Sequence, residues 1–69
     1  MAESVYKVIE LVGTSSESWE KAAAAAGQTA SKTLRDLRIA EVSQLDLQLE
    51  GGKVLAYRAK LKLSFKYED

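Results

Sequence analysis

The chain has 69 residues, ten basic and ten acidic, with no cysteine, histidine or proline, which limits it to a single domain over residues 1–69. Without cysteine there is no disulfide framework and no zinc-knuckle spacing. Without histidine the usual Ser-His and Cys-His constellations are absent, so no enzymatic activity is expected. Balanced charge argues against a nucleic-acid partner, and the longest apolar run, the five alanines Ala22 to Ala26, is far short of a membrane span.

Met1-Ala2-Glu3-Ser4 has no basic segment followed by an apolar one. No signal peptide is expected, and the expected compartment is the cytoplasm. Size then suggests how the chain is stabilised. Below about 70–80 residues one core rarely supplies more than roughly 3–5 kcal/mol without a staple. With no disulfide and no obvious metal site, oligomerisation is the remedy left open.

Residues 5–12, VYKVIELV, are β-branched and aromatic and predict a first strand. Tyr6, Val8, Glu10 and Val12 share one face; Val5, Lys7, Ile9 and Leu11 share the other. Both faces are largely apolar, so both are expected to be covered in an assembly. Gly13 predicts a sharp turn that ends the strand. Thr14, Ser15 or Ser16 can then cap a helix, and Thr14-x-x-Glu17 fits a capping box. The helix is expected to run to about Leu37. Trp19, Ala22, Ala23, Ala26, Ala30, Thr33, Leu34 and Leu37 recur at spacings of three and four, giving an alanine-rich stripe that can approach a sheet closely.

Residues 39–50 predict a second strand whose alternation switches midway. Ala40 and Val42 are apolar at even positions, Leu45, Leu47 and Leu49 at odd ones. A bulge near Ser43-Gln44 explains the switch. Gly51-Gly52 is a two-residue hairpin signal. In the third strand, Leu55, Tyr57, Ala59, Leu61, Leu63, Phe65 and Tyr67 point one way, and Arg58, Lys60, Lys62, Ser64 and Lys66 the other. The order is β-α-β-β. A right-handed crossover makes the first two strands parallel and leaves room for the third between them. The expected fold class is α+β: a three-stranded antiparallel sheet, order 1-3-2, wrapped around one helix. Its uncovered sheet face and overhanging strands call for neighbouring subunits.

Few residues suggest chemistry. Trp19, on the apolar stripe, reads as a core or subunit contact. Arg58, Lys60, Lys62 and Lys66 form a basic row that Asp46, Gln48 and Glu50 can neutralise from the adjoining strand; the sharper reading is an anion-binding surface. Glu10, Asp46 and Glu50, with Glu41 beside them, are candidate oxygen ligands for Ca2+ or Mg2+ wherever symmetry gathers copies, against the plainer reading of surface charge. Thr14, Ser15, Ser16 and Ser18 read as caps, because no general base stands near them.

Val5-Tyr6-Lys7-Val8-Ile9-Glu10-Leu11-Val12-Gly13-Thr14-Ser15, followed by Ser18-Trp19-Glu20, resembles the N-terminal signature of the dodecins. Thr33-Leu34-Arg35-Asp36-Leu37, the Gly52-Lys53 hairpin and Tyr57-Arg58 through Phe65 extend the resemblance over nearly the whole chain. It implies a hollow homododecamer with a binding and storage role, taking flavin (riboflavin or FMN) in pairs at sites shared between subunits. In that family a tryptophan after the helix stacks on the flavin ring, and a glutamine on the last strand bonds its edge. Here the stacking position falls on Ile39 and the polar position on Arg58. The implied cofactor-binding set is therefore Ile39, Arg58, Gln44 and Glu41, with flavin affinity weakened or lost. Losing one aromatic plane removes about 0.5–1.5 kcal/mol beyond area burial. The alternatives are a relative that binds ions such as calcium and a purely structural oligomer. Expected partners are other copies of the chain and a small molecule or ion, with no nucleic acid and no membrane.

Overall fold

The computed structural model describes residues 3–34 and 37–66. Four elements follow in order: β1 (Tyr6–Ser15), α1 (Trp19–Thr33), β2 (Leu37–Glu50) and β3 (Lys53–Lys66). The strands form one sheet in the order β1-β3-β2, with β3 antiparallel to both neighbours. This is the expected α+β, βαββ architecture. Among the described residues no helix is long and apolar enough to cross a membrane.

The register sorts the side chains into two faces, because directly opposed residues project to the same side. On the helix side lie Gly13, Ala59 and Leu45 in one rung, Leu11, Leu61 and Val42 in the next, then Ile9, Leu63 and Ala40. Ala22, Ala26 and Ala30 of α1 pack onto Ala59, Leu61 and Leu63, and these six residues are the buried core. Small side chains on the helix permit this close seat. The expected bulge is present: the β2 register shifts between Val42 and Gln44. Ser43, left over in the shift, donates its hydroxyl to the Lys60 carbonyl at 3.2 Å. The hairpin turns on Gly51 and Gly52 with φ of 59° and 79°, the region that favours glycine.

Three local expectations are corrected. Gly13 does not end the first strand, which continues to Ser15 because Thr14 and Ser15 still pair with Arg58 and Tyr57. Its value lies in contact: a Cβ there would stand 2.1 Å from the Ala22 carbonyl oxygen and 2.9 Å from Ala26 Cβ. The Thr14-x-x-Glu17 capping box is not formed. Ser18 is the N-cap and accepts from the Lys21 N–H at 3.1 Å, while Ser15 Oγ accepts from the Glu17 N–H at 3.0 Å and shapes the turn before it. The helix ends at Thr33, with Leu34 extended at its C-cap, so Leu37 opens β2 instead of closing α1. Tyr67, assigned to the third strand by pattern, lies outside the described residues.

Candidate functional site

The face of the sheet turned away from α1 collects the polar sequence candidates. Its rungs, read across β1, β3 and β2, are Thr14–Arg58–Asp46, Val12–Lys60–Gln44, Glu10–Lys62–Glu41 and Val8–Ser64–Ile39. Ile39, Glu41, Gln44 and Arg58 thus share one face, as do Glu10 and Asp46. The bulge at Ser43 makes this possible, since it returns Gln44 to the side that Glu41 occupies. The four do not converge, however. From Ser64, opposite Ile39, to Arg58 is six residues of β3, about 20 Å of strand. Within one protomer Ile39 and Arg58 are therefore not neighbours, but stand at opposite ends of a four-rung row.

Arg58 is engaged. Its Nε and NH2 donate to the two carboxylate oxygens of Asp46 at 2.7 and 2.9 Å, the two-point geometry that suits guanidinium and carboxylate. The resemblance puts Arg58 at the ligand's polar position, and the plainer reading has its row neutralised from the adjoining strand; the pairing is with Asp46, inside the protomer, because β2 and β3 are hairpin neighbours. The hydrogen bonds from Arg58 hold the Asp46 carboxyl below its ordinary value; partial desolvation opposes this, and the charges of Arg58 and Lys60 add to it. The same hydrogen bonds raise the Arg58 guanidinium further. Both side chains remain substantially exposed, so the pair contributes to position more than to stability.

Asp46 is also fixed from the other side of the sheet. The Trp19 indole N–H donates to its backbone carbonyl at 3.1 Å, and the Trp19 ring meets Tyr57 edge-on, centroids 5.1 Å apart at 79°. This link spans twenty-seven positions of sequence. No local pattern announces it; the only signal is a single tryptophan at the first turn of an alanine-rich helix.

The carboxylates Glu10, Asp46 and Glu50 are not brought together as a metal site in the protomer. Glu10 stands opposite Lys62, Asp46 opposite Arg58, and Glu50 opposite Lys53 at the hairpin turn. Each has a cation for its neighbour, and among the described residues no group of three or more ligating side chains forms. Calcium takes six to eight oxygens, so one protomer alone does not fit it. The fit to flavin is likewise incomplete: Ile39 is 61% exposed and offers an aliphatic surface where a ring would need an aromatic plane, and Trp19 lies over the opposite face.

The helix side has its own concavity. α1 leans on β1 and β3 and leaves β2 largely uncovered. A cleft of 580 Å³ opens there, lined among others by Ala23, Gly27, Ser31, Leu37, Ile39 and Val42. A second of 290 Å³ adjoins it through Ala23 and Val42 and reaches Trp19 and Leu45. Ile39 lies on the rim where the cleft meets the outer face.

The sequence and fold have clear relatives. The Dodecin family model matches residues 5–68. Calcium dodecin of Mycobacterium tuberculosis is 48% identical over 63 residues, covering 91% of this chain and 89% of that protein. Its crystal structure, described as having a novel calcium-binding site, aligns with a TM-score of 0.83 over 94% of this chain and 93% of its own. Dodecin of Thermus thermophilus is 42% identical over 65 residues and 94% of each chain. Dodecin from Streptomyces coelicolor aligns with a TM-score of 0.90 at 40% identity, covering 100% of this chain and 99% of that one. On sequence and fold together, the chain belongs to the dodecin family.

Proposed function

We propose that the chain is a non-catalytic subunit of a hollow homododecamer that binds a small ligand at sites shared between copies, with flavin as the ligand class and an affinity weakened by Ile39. The observation that carries this reading is the amount of apolar surface one protomer leaves uncovered. Val42, Leu45, Leu47, Leu49 and Leu55 are each at least 40% exposed on the hairpin that overhangs the helix, and Tyr6, Val8, Val12 and Ile39 are exposed in the rungs of the opposite face. Copies must cover these surfaces. Ile39 and Arg58, the ends of the candidate row and about 20 Å apart along one protomer, can then come side by side only across copies. Family membership supports the shell and its binding role.

A calcium-binding shell is the second reading, favoured by the relative named for calcium. It too needs copies to gather carboxylates such as Glu10, Asp46 and Glu50. Mass photometry of the purified protein should give a particle of about twelve subunits, the number the family implies. Riboflavin fluorescence quenching should then saturate, with weak affinity. A folded monomer rejects the shell. A dodecamer that ignores riboflavin but titrates calcium calorimetrically replaces the first reading with the second.

A further inference from the structure

Asp46 lies inside a strand, where aspartate is disfavoured, and it is held at both ends. Its carboxylate occupies the guanidinium fork of Arg58, and its carbonyl is bonded by Trp19. The fork of an arginine can donate in two-point fashion to a carboxylate or to a phosphate. Around it stand Lys60, one rung along the same face, and Thr14, opposite Arg58 on β1. Gln44 faces Lys60 from β2, and the carboxylates Glu10 and Glu41 flank Lys62 two rungs from Arg58. The end of the face nearest Arg58 therefore has two cations and one anion, and that anion already fills the place an acidic ligand group would take.

We infer that Asp46 is a selectivity residue: it closes an anion subsite formed by Arg58, Lys60 and Thr14, so that this face takes an uncharged ligand and refuses a phosphorylated one. The inference deepens the small-ligand reading and rests on ligand reaching the outer face. Exchange of a carboxylate for a phosphate on Arg58 would leave Asp46 beside the incoming charge. Removing Asp46 raises the local charge of the Arg58–Lys60–Asp46 group by one and frees the fork without altering the cations.

Calorimetric titration with inorganic pyrophosphate at low salt tests this on the assembled protein, comparing wild type, Asp46→Asn and Asp46→Asn/Arg58→Gln. Asp46→Asn should bind pyrophosphate about tenfold tighter than wild type, with the gain shrinking as sodium chloride rises, and the double variant should lose the gain. Asp46→Ser provides an independent single variant, and mass photometry shows whether each has the wild-type particle mass. Equal pyrophosphate affinity in wild type and in both single variants would overturn the inference. So would a gain that survives Arg58→Gln. Pyrophosphate carries no ring, so the flavin reading fails separately, if riboflavin does not bind wild type or any variant while the pyrophosphate difference remains.

Discussion

Gly13 and Asp46 carry more of this structure than their size suggests. Gly13 lets β1 lie directly against the Ala22 turn of the helix, with no room for a Cβ. Gly13→Ala must push backbone against backbone and should cost about 3 kcal/mol, the upper part of the usual overpacking range. Urea denaturation should show the loss as a lower midpoint. Gly27→Ala is the control, because a Cβ there meets nothing within 4 Å. Asp46 yields a pH prediction. Its folded carboxyl is lowered from 3.8, chiefly by the hydrogen bonds of Arg58. For a depressed carboxylate the contribution to folding is present above the unfolded value and lost as pH falls through the folded one. The carboxyl-carbon NMR titration of Asp46 should therefore have its midpoint below 3.8, and Arg58→Gln should move that midpoint up. A midpoint that does not respond to Arg58→Gln would mean the ion pair is not formed in solution.

At the scale of elements, the parity of β2 and β3 makes most of the fold legible. The run from Leu55 to Phe65 alternates without a break, Gly51-Gly52 announces the hairpin, and the switch from Ala40 and Val42 to Leu45 and Leu47 locates the bulge at Ser43. The helix boundaries are less legible because local chemistry offers several answers. Thr14, Ser15, Ser16 and Ser18 can all cap, and the choice of Ser18 follows from β1 staying paired to β3 as far as Tyr57. That is a long-range cause with no local mark. The same holds for the candidate site. Parity places Ile39, Glu41, Gln44 and Arg58 on one face, whereas only the register reveals the distance between Ile39 and Arg58. This distance gives the flavin experiment a sharper form. Ile39→Trp should raise riboflavin affinity by about 1–2 kcal/mol through stacking. If copies bring the Ile39 of one protomer to the Arg58 of another, Arg58→Gln added to it should be non-additive in a double-mutant cycle. Strict additivity would place the two residues in separate sites.

The whole molecule is too long for its core. It measures 54 × 20 × 16 Å with a radius of gyration of 14.3 Å, where a compact chain of this length would have about 11 Å. Three rungs, centred on Ala59, Leu61 and Leu63, are all that the buried face of the helix covers, and the hairpin runs on beyond Trp19 with its apolar side bare. Leu47→Asp puts a charge on that side, opposite Tyr57. It should abolish the particle of about twelve subunits and leave an unfolded chain, since burying an unpaired carboxylate costs several kcal/mol. Circular dichroism and mass photometry on one sample distinguish this from a folded monomer. The overhang also carries an expectation for the kinetics of maturation. If a lone chain reaches no free-energy minimum deep enough to wait in, acquiring structure and meeting partners become a single event of reaction order above one. Refolding half-times should shorten as protein concentration rises, and a newly made chain would have to encounter its siblings before proteases find it.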